Sequence, residues 1–136
     1  MAASPIVDAS FLVTLLSRRD DHHRWSADQA LKFPPPWKTC EAVLSEAFHL
    51  LGHGGVAALS ALLRRGAVVP AFHFHENSEA VLSLMQKYAD VPMSFADACL
   101  VRMSETFDDP IILTTDSSFR IYRRHGRQVV PSVLPD

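Results

Sequence analysis

Short β-branched runs alternate with longer stretches of helical periodicity, and that alternation confines the chain to an α/β architecture. Residues 5–8 read as a short buried strand, IILTT as a second and QVVPSVLP as the last. AVVPAF is β-rich, but Pro70 has no amide to donate, which sets this run at a sheet edge or a strand end. Apolar residues at helical spacing predict helices over Ala9–Leu16, His22–Lys32, Val56–Arg65, His75–Tyr88 and from Ser94 to Phe107. In these, Phe11, Leu12, Leu15 and Leu16, then Trp25 and Leu31, then Val81, Leu82 and Met85, are expected to face inward. A further helix should start at a Thr39 cap and end near Leu51, at the glycines of LGHGG. FPPPW reads as a firm break, and Ser117–His125 as a short basic helix or turn. Strands that are apolar throughout suit a sheet covered on both faces, so the sheet should be short and mainly parallel.

A chain of 136 residues is the length of one domain, 1–136. With 48% hydrophobic and 21% charged residues it belongs among ordinary globular sequences rather than disordered ones. A net charge of -2 gives no basic signature, so any nucleic-acid site must be a local patch. Cys40 and Cys99 fall in helical patterns and read as reduced thiols, which points to a cytoplasmic location. The beginning, MAASPIVDAS, lacks a basic n-region and a long apolar h-region, so no signal peptide is expected. No apolar run approaches the roughly 18 residues that span a bilayer, and no membrane partner is expected.

Asp8, Glu46, Asp97 and Asp116 each stand where an apolar segment starts or stops, or at the border of an apolar arc. Asp8 and Asp116 follow strands, and open parallel sheets bind ligands beyond the carboxyl ends of their strands. Carboxylates gathered at such an edge raise one another's pKa and call for a positive partner, in the simplest case a hard divalent cation. Each of the three aspartates also has a plainer explanation as a helix cap, and Asp97 follows Ser94 at capping-box spacing. Glu46 lies within a helix beside Val43 and Leu50, where its plainer partner is a cation across the fold. Glu41 is its rival on the same helix, on the polar side. His49 and His53 have the i, i+4 spacing of zinc ligands but no third ligand, and His73 and His75 have no assigned role.

SSFRIYRRHGR sets Arg120, Arg123, Arg124 and Arg127 around Phe119 and Tyr122, directly after Asp116. Two readings stay open: a basic, aromatic lip that grips a phosphate backbone, which Arg18 and Arg19 could extend, or a solvated helix end. The chain has no phosphate-cradling loop of the G-x-x-x-x-G-K-[ST] type and no G-x-S-x-G elbow.

VDASFLVTLL, LSEAFHLL, MSFADACLV and ILTTDSSFRIYRR resemble, in order, the four acidic motifs of the PIN domain, across nearly the whole chain. F-A-D-A followed by T-T-D-x-x-F is the most specific part. The resemblance implies a three-layer α/β/α sandwich and a metal-dependent ribonuclease that hydrolyses RNA phosphodiesters. It implies that Asp8, Glu46, Asp97 and Asp116 hold one or two Mg2+ or Mn2+ ions, with Ser10, Thr114 and Ser118 in supporting places. Many relatives carry an acid or Asn where this chain has Ser118, which leaves the second ion open. PIN domains include the toxins of bacterial toxin–antitoxin pairs; that role would imply a cognate antitoxin over the site and a homodimer. The competing expectation is a non-catalytic PIN-like module that binds RNA or protein.

Overall fold

The computed structural model describes residues 3–136. Its centre is a five-stranded sheet in the order β3-β2-β1-β4-β7. The strands are β1 (Ser4–Val7), β2 (Trp37–Thr39), β3 (Val68–Pro70), β4 (Pro110–Leu113) and β7 (Ser132–Val133), and every pairing is parallel. β1 and β4 are in register from Ser4 opposite Pro110 to Val7 opposite Leu113, so the residues following each strand emerge side by side. Ile6, Val7, Ile112 and Leu113 are fully buried, as strands covered on both faces require.

The helices are α1 (Ala9–Leu16), α2 (His23–Lys32), α3 (Glu41–Arg64), α4 (Phe74–Lys87) and α5 (Phe95–Thr106). From β1 the chain steps outward to β2 and then β3, before returning across the sheet to β4. Right-handed crossovers therefore put α1, α2 and α3 on one face and α4 and α5 on the other, the three-layer arrangement. Phe11 of α1 is fully buried between Trp25, 6.2 Å away, and Trp37, 5.5 Å away, both edge to face. On the other face Leu100, Val101 and Met103 of α5 are fully buried.

Several sequence expectations change. FPPPW does break the helix, but its tryptophan begins β2, a strand too short to leave a periodic signal. Thr39 ends that strand instead of capping α3; its hydroxyl donates to the Val7 carbonyl at 2.8 Å, and Cys40 takes the cap position. LGHGG does interrupt the helix as expected: Gly52, with φ 66 and ψ -164, breaks α3 into two helical segments, and the second begins directly after it rather than at Val56. Taken as one element of 24 residues, α3 has an apolar 18-residue window of mean hydropathy 1.2, but the break at Gly52 divides it into two segments each shorter than the roughly 20 residues that cross a bilayer. In the fold it packs Val43, Ala47, Leu59 and Leu62 into the core. Leu31 and Leu82 face solvent at 84% and 47% exposure, because α2 and α4 each cover the core with a narrower stripe than their apolar content suggests.

After β4 comes a 3-10 turn, Ser117–Arg120, and then β5 (Arg123–Arg124) and β6 (Gln128–Val129) form a separate antiparallel hairpin. To enter β7 parallel to β4 the chain must travel back to the amino-terminal edge of the sheet, and the hairpin makes that journey. The last sequence-predicted strand is thus two strands, β6 and β7, in two different sheets.

Candidate metal centre

The strand order reverses between β1 and β4, which opens a crevice at their carboxyl ends. Asp8 and Asp116 stand at that crevice, and α5 brings Asp97 to it in its first turn. One carboxylate oxygen from each of Asp8, Asp97 and Asp116 lies within 4.8 Å of the other two. Among the described residues the one ion pair is Arg102–Glu105, so no lysine or arginine neutralises this trio.

Each aspartate is held by the local backbone need that the sequence suggested, and still keeps coordinating capacity. Asp8 caps α1, accepting from the Ala9 amide at 2.7 Å on Oδ1. Its Oδ2 accepts from the Thr114 hydroxyl at 2.7 Å and the Ser10 hydroxyl at 3.2 Å. A carboxylate has about four lone-pair sites, so these three donors leave one free on Oδ1. Asp116 accepts from the Ser118 amide at 2.9 Å on Oδ1, leaving Oδ2 uncommitted. Asp97 accepts on Oδ2 from the Tyr122 hydroxyl at 2.8 Å, while its own amide donates to the Ser94 cap at 3.0 Å. Capping and ligation are therefore compatible here, since they use different lone pairs.

The hydroxyls tie the two strand ends together. The Asp116 amide donates to Thr114 Oγ1 at 3.0 Å, and the Thr115 amide donates to Ser10 Oγ at 3.0 Å. Ser10 and Thr114 thus orient Asp8 and fix the backbone that carries Asp116. Ser118 contributes through its amide to Asp116.

Burial pushes the Asp8 carboxyl up from 3.8 to about 6, with Asp97 adding to the rise while the Thr114 bond opposes it. Asp97 is raised mainly by burial, against the hydrogen bond from Tyr122. Glu46 lies on the exposed side of α3 and outside the trio. It is close enough to be affected: its pKa is raised by desolvation and then by the charges of Asp97 and Asp116. Its expected cationic partner across the fold is not among the described ion pairs.

Tyr122 was missed as part of this site. The sequence offered it only as an aromatic in a basic lip, yet it and Phe119 are fully buried and packed edge to face, 5.3 Å apart. Tyr122 also packs against Tyr88 at 5.2 Å, which holds its hydroxyl on Asp97. The lip itself divides. Arg123 turns its guanidinium onto the carbonyls of Arg120, Ile121 and Tyr122 at 2.8, 3.2 and 2.9 Å, closing the turn. Arg124 lines a cavity with Asp108, Asp109 and Pro110 at the start of β4, the opposite end of the sheet from the acids. Arg120 and Arg127 remain exposed. Cys40 and Cys99 are buried free thiols, Cys40 at the entry to α3 and Cys99 within α5.

The donor set consists of carboxylate oxygens supported by hydroxyls, without sulfur or imidazole. Such a set fits a hard divalent cation, and the uncompensated negative charge gives the cation a reason to bind. No curated protein matches the chain significantly. The profile of the PIN domain family matches residues 6–124.

Proposed function

The chain belongs to the PIN domain family, and from that premise we propose that it is a divalent-metal-dependent endoribonuclease. The observation that carries the reading is the unneutralised trio at the crevice, with carboxylate oxygens of Asp8, Asp97 and Asp116 within 4.8 Å of one another. Mg2+ or Mn2+ is the cation in this reading, held by the free lone pairs of those three residues. When bound, it supplies charge neutralisation and Lewis-acid activation at the phosphodiester. Glu46, at the rim, accepts a proton from or orients the attacking water; desolvation and the charges of Asp97 and Asp116 raise its pKa, which makes it a better base than an ordinary carboxylate. Ser10 and Thr114 keep Asp8 fixed and ionised by donating to Oδ2, and Tyr122 does the same for Asp97. Arg120, exposed at the end of the turn that Asp116 caps, would meet substrate phosphate in this reading, whereas Arg123 closes the turn and Arg124 lines a cavity at the other end of the sheet.

Action in the cytoplasm, a cognate antitoxin covering the crevice and a homodimer belong to the same proposal. They rest on the toxins known within the family. The non-catalytic alternative is disfavoured by the site itself, since a pure binding module gains nothing from burying repelling carboxylates.

The test is cleavage of single-stranded RNA by the purified protein with Mn2+, with and without chelator. Metal-dependent cleavage that disappears in Asp8→Asn and in Asp97→Asn is expected. Full activity in both variants would falsify the mechanism.

A further inference from the structure

With Phe119 and Tyr122 buried, the aromatic surface at the carboxyl-terminal rim lies elsewhere. α4 follows β3 and α5 carries Asp97, so both helices begin at the rim that holds the acids. Phe74 opens α4, and Phe95 opens α5 two residues before Asp97. The two rings are 38% and 40% exposed, and their centroids are 5.1 Å apart at an interplanar angle of 72°. Scattered exposed apolar residues need no explanation, and this surface has others, such as Leu31 and Val129. Phe74 and Phe95 differ from those in being aromatic, in touching each other, and in opening the two helices, with Phe95 two residues before Asp97.

We propose that Phe74 and Phe95 form a stacking platform for a nucleobase next to the cleaved bond of a single-stranded RNA. The inference rests on the nuclease reading and adds to it a substrate contact of stated chemistry. Two residues of chain span at most about 7 Å, so the Phe95 backbone is that close to the Asp97 backbone. A phosphate at the trio therefore brings its neighbouring base within reach of the ring. Edge-to-face packing braces each ring, so a base that stacks there meets a surface already ordered. Two rings are too small an area for a stable protein interface, which needs about 800 Å2 per partner. A single exposed ring face is enough to stack one base. Stacking tolerates any base, so the platform fixes the strand without reading its sequence.

Binding is measured by fluorescence anisotropy of a labelled single-stranded RNA oligonucleotide, on an Asp116→Asn background without added metal. Phe95→Leu keeps apolar bulk and removes the π face; it is expected to weaken binding roughly tenfold. Phe95→Trp is expected to restore it. An abasic oligonucleotide should bind the two variants alike. Equal affinity of Phe95→Leu and its parent for the normal oligonucleotide, with both folded by circular dichroism, overturns the platform. So does a Phe74→Ser change that alters oligomeric state in gel filtration and leaves RNA affinity unchanged, because the pair would then be a protein contact. The two readings fail separately. Metal-dependent cleavage by the unmodified protein combined with no Phe95 effect removes only the platform. A Phe95-dependent affinity without any cleavage supports the platform and removes the nuclease reading.

Discussion

Asp8 shows how one side chain can serve folding and chemistry together. It was legible in the sequence as both a cap and a metal ligand, and the structure has it capping α1 with lone-pair capacity left over. Its folded pKa of about 6 stands above the ordinary 3.8, chiefly through burial. A group raised in the folded state contributes stability that is complete below its unfolded pKa and is lost as pH rises through the folded one. A shift of this size corresponds to about 3 kcal/mol. The metal-free melting temperature should therefore fall between about pH 4 and pH 7, and Asp8→Asn should flatten that fall and melt higher at pH 7. A thermal melt series in chelator checks both; an unchanged slope in the variant would show that Asp8 is not the group responsible. Tyr122→Phe keeps the buried ring and deletes only the donor to Asp97 Oδ2. It should cost about 1–2 kcal/mol of stability and weaken Mn2+ binding in calorimetry, with wild-type packing otherwise retained. Neither the burial of Tyr122 nor its partner could be read locally, because the two residues meet only when the turn after β4 folds onto α5.

At the scale of elements, Gly52 decides how α3 runs. Its φ of 66 and ψ of -164 lie in a region that only glycine occupies readily, and a Cβ there would meet nothing within 4 Å. Gly52→Ala should therefore destabilise by about 1–3 kcal/mol through backbone strain alone, without a steric clash. Chemical denaturation measures it; a loss of only a few tenths would mean that the helix straightens and accepts alanine. The glycine cluster was correctly read as an interruption between two helical segments, but the pattern could not show that the second segment resumes directly after Gly52. α2 gives the opposite case. Leu31 was assigned inward by spacing, yet it is 84% exposed. Leu31→Gln should change stability by less than about 0.5 kcal/mol, as surface substitutions do. The basic segment divided for a reason of the same scale: the chain runs from one edge of the sheet toward the other within it, so Arg123 closes the turn after Asp116 while Arg124 lines a cavity at the start of β4.

For the molecule as a whole, the crevice holds like charges close together without an internal cation. A divalent ion that binds only the folded protein should stabilise it by mass action, by about 2.7 kcal/mol at a hundredfold excess over Kd, and so raise its melting temperature. The rise should be present at pH 7 and shrink toward pH 4.5, where protons compete for the same carboxylates. An equal rise in Asp97→Asn would place the ion elsewhere. The alternation of apolar strands and amphipathic helices determined the α/β class and the parallel sheet, because burial on both faces leaves its mark on local sequence. The four acidic segments, in their order, carried the family. Which acids converge, that Glu46 stays at the rim outside the trio, and that Tyr122 supports Asp97 were decided only by the tertiary structure. Those facts depend on the β1–β4 register and on helices from opposite faces meeting at one edge, and contacts between residues a hundred positions apart have no signature in the chain between them.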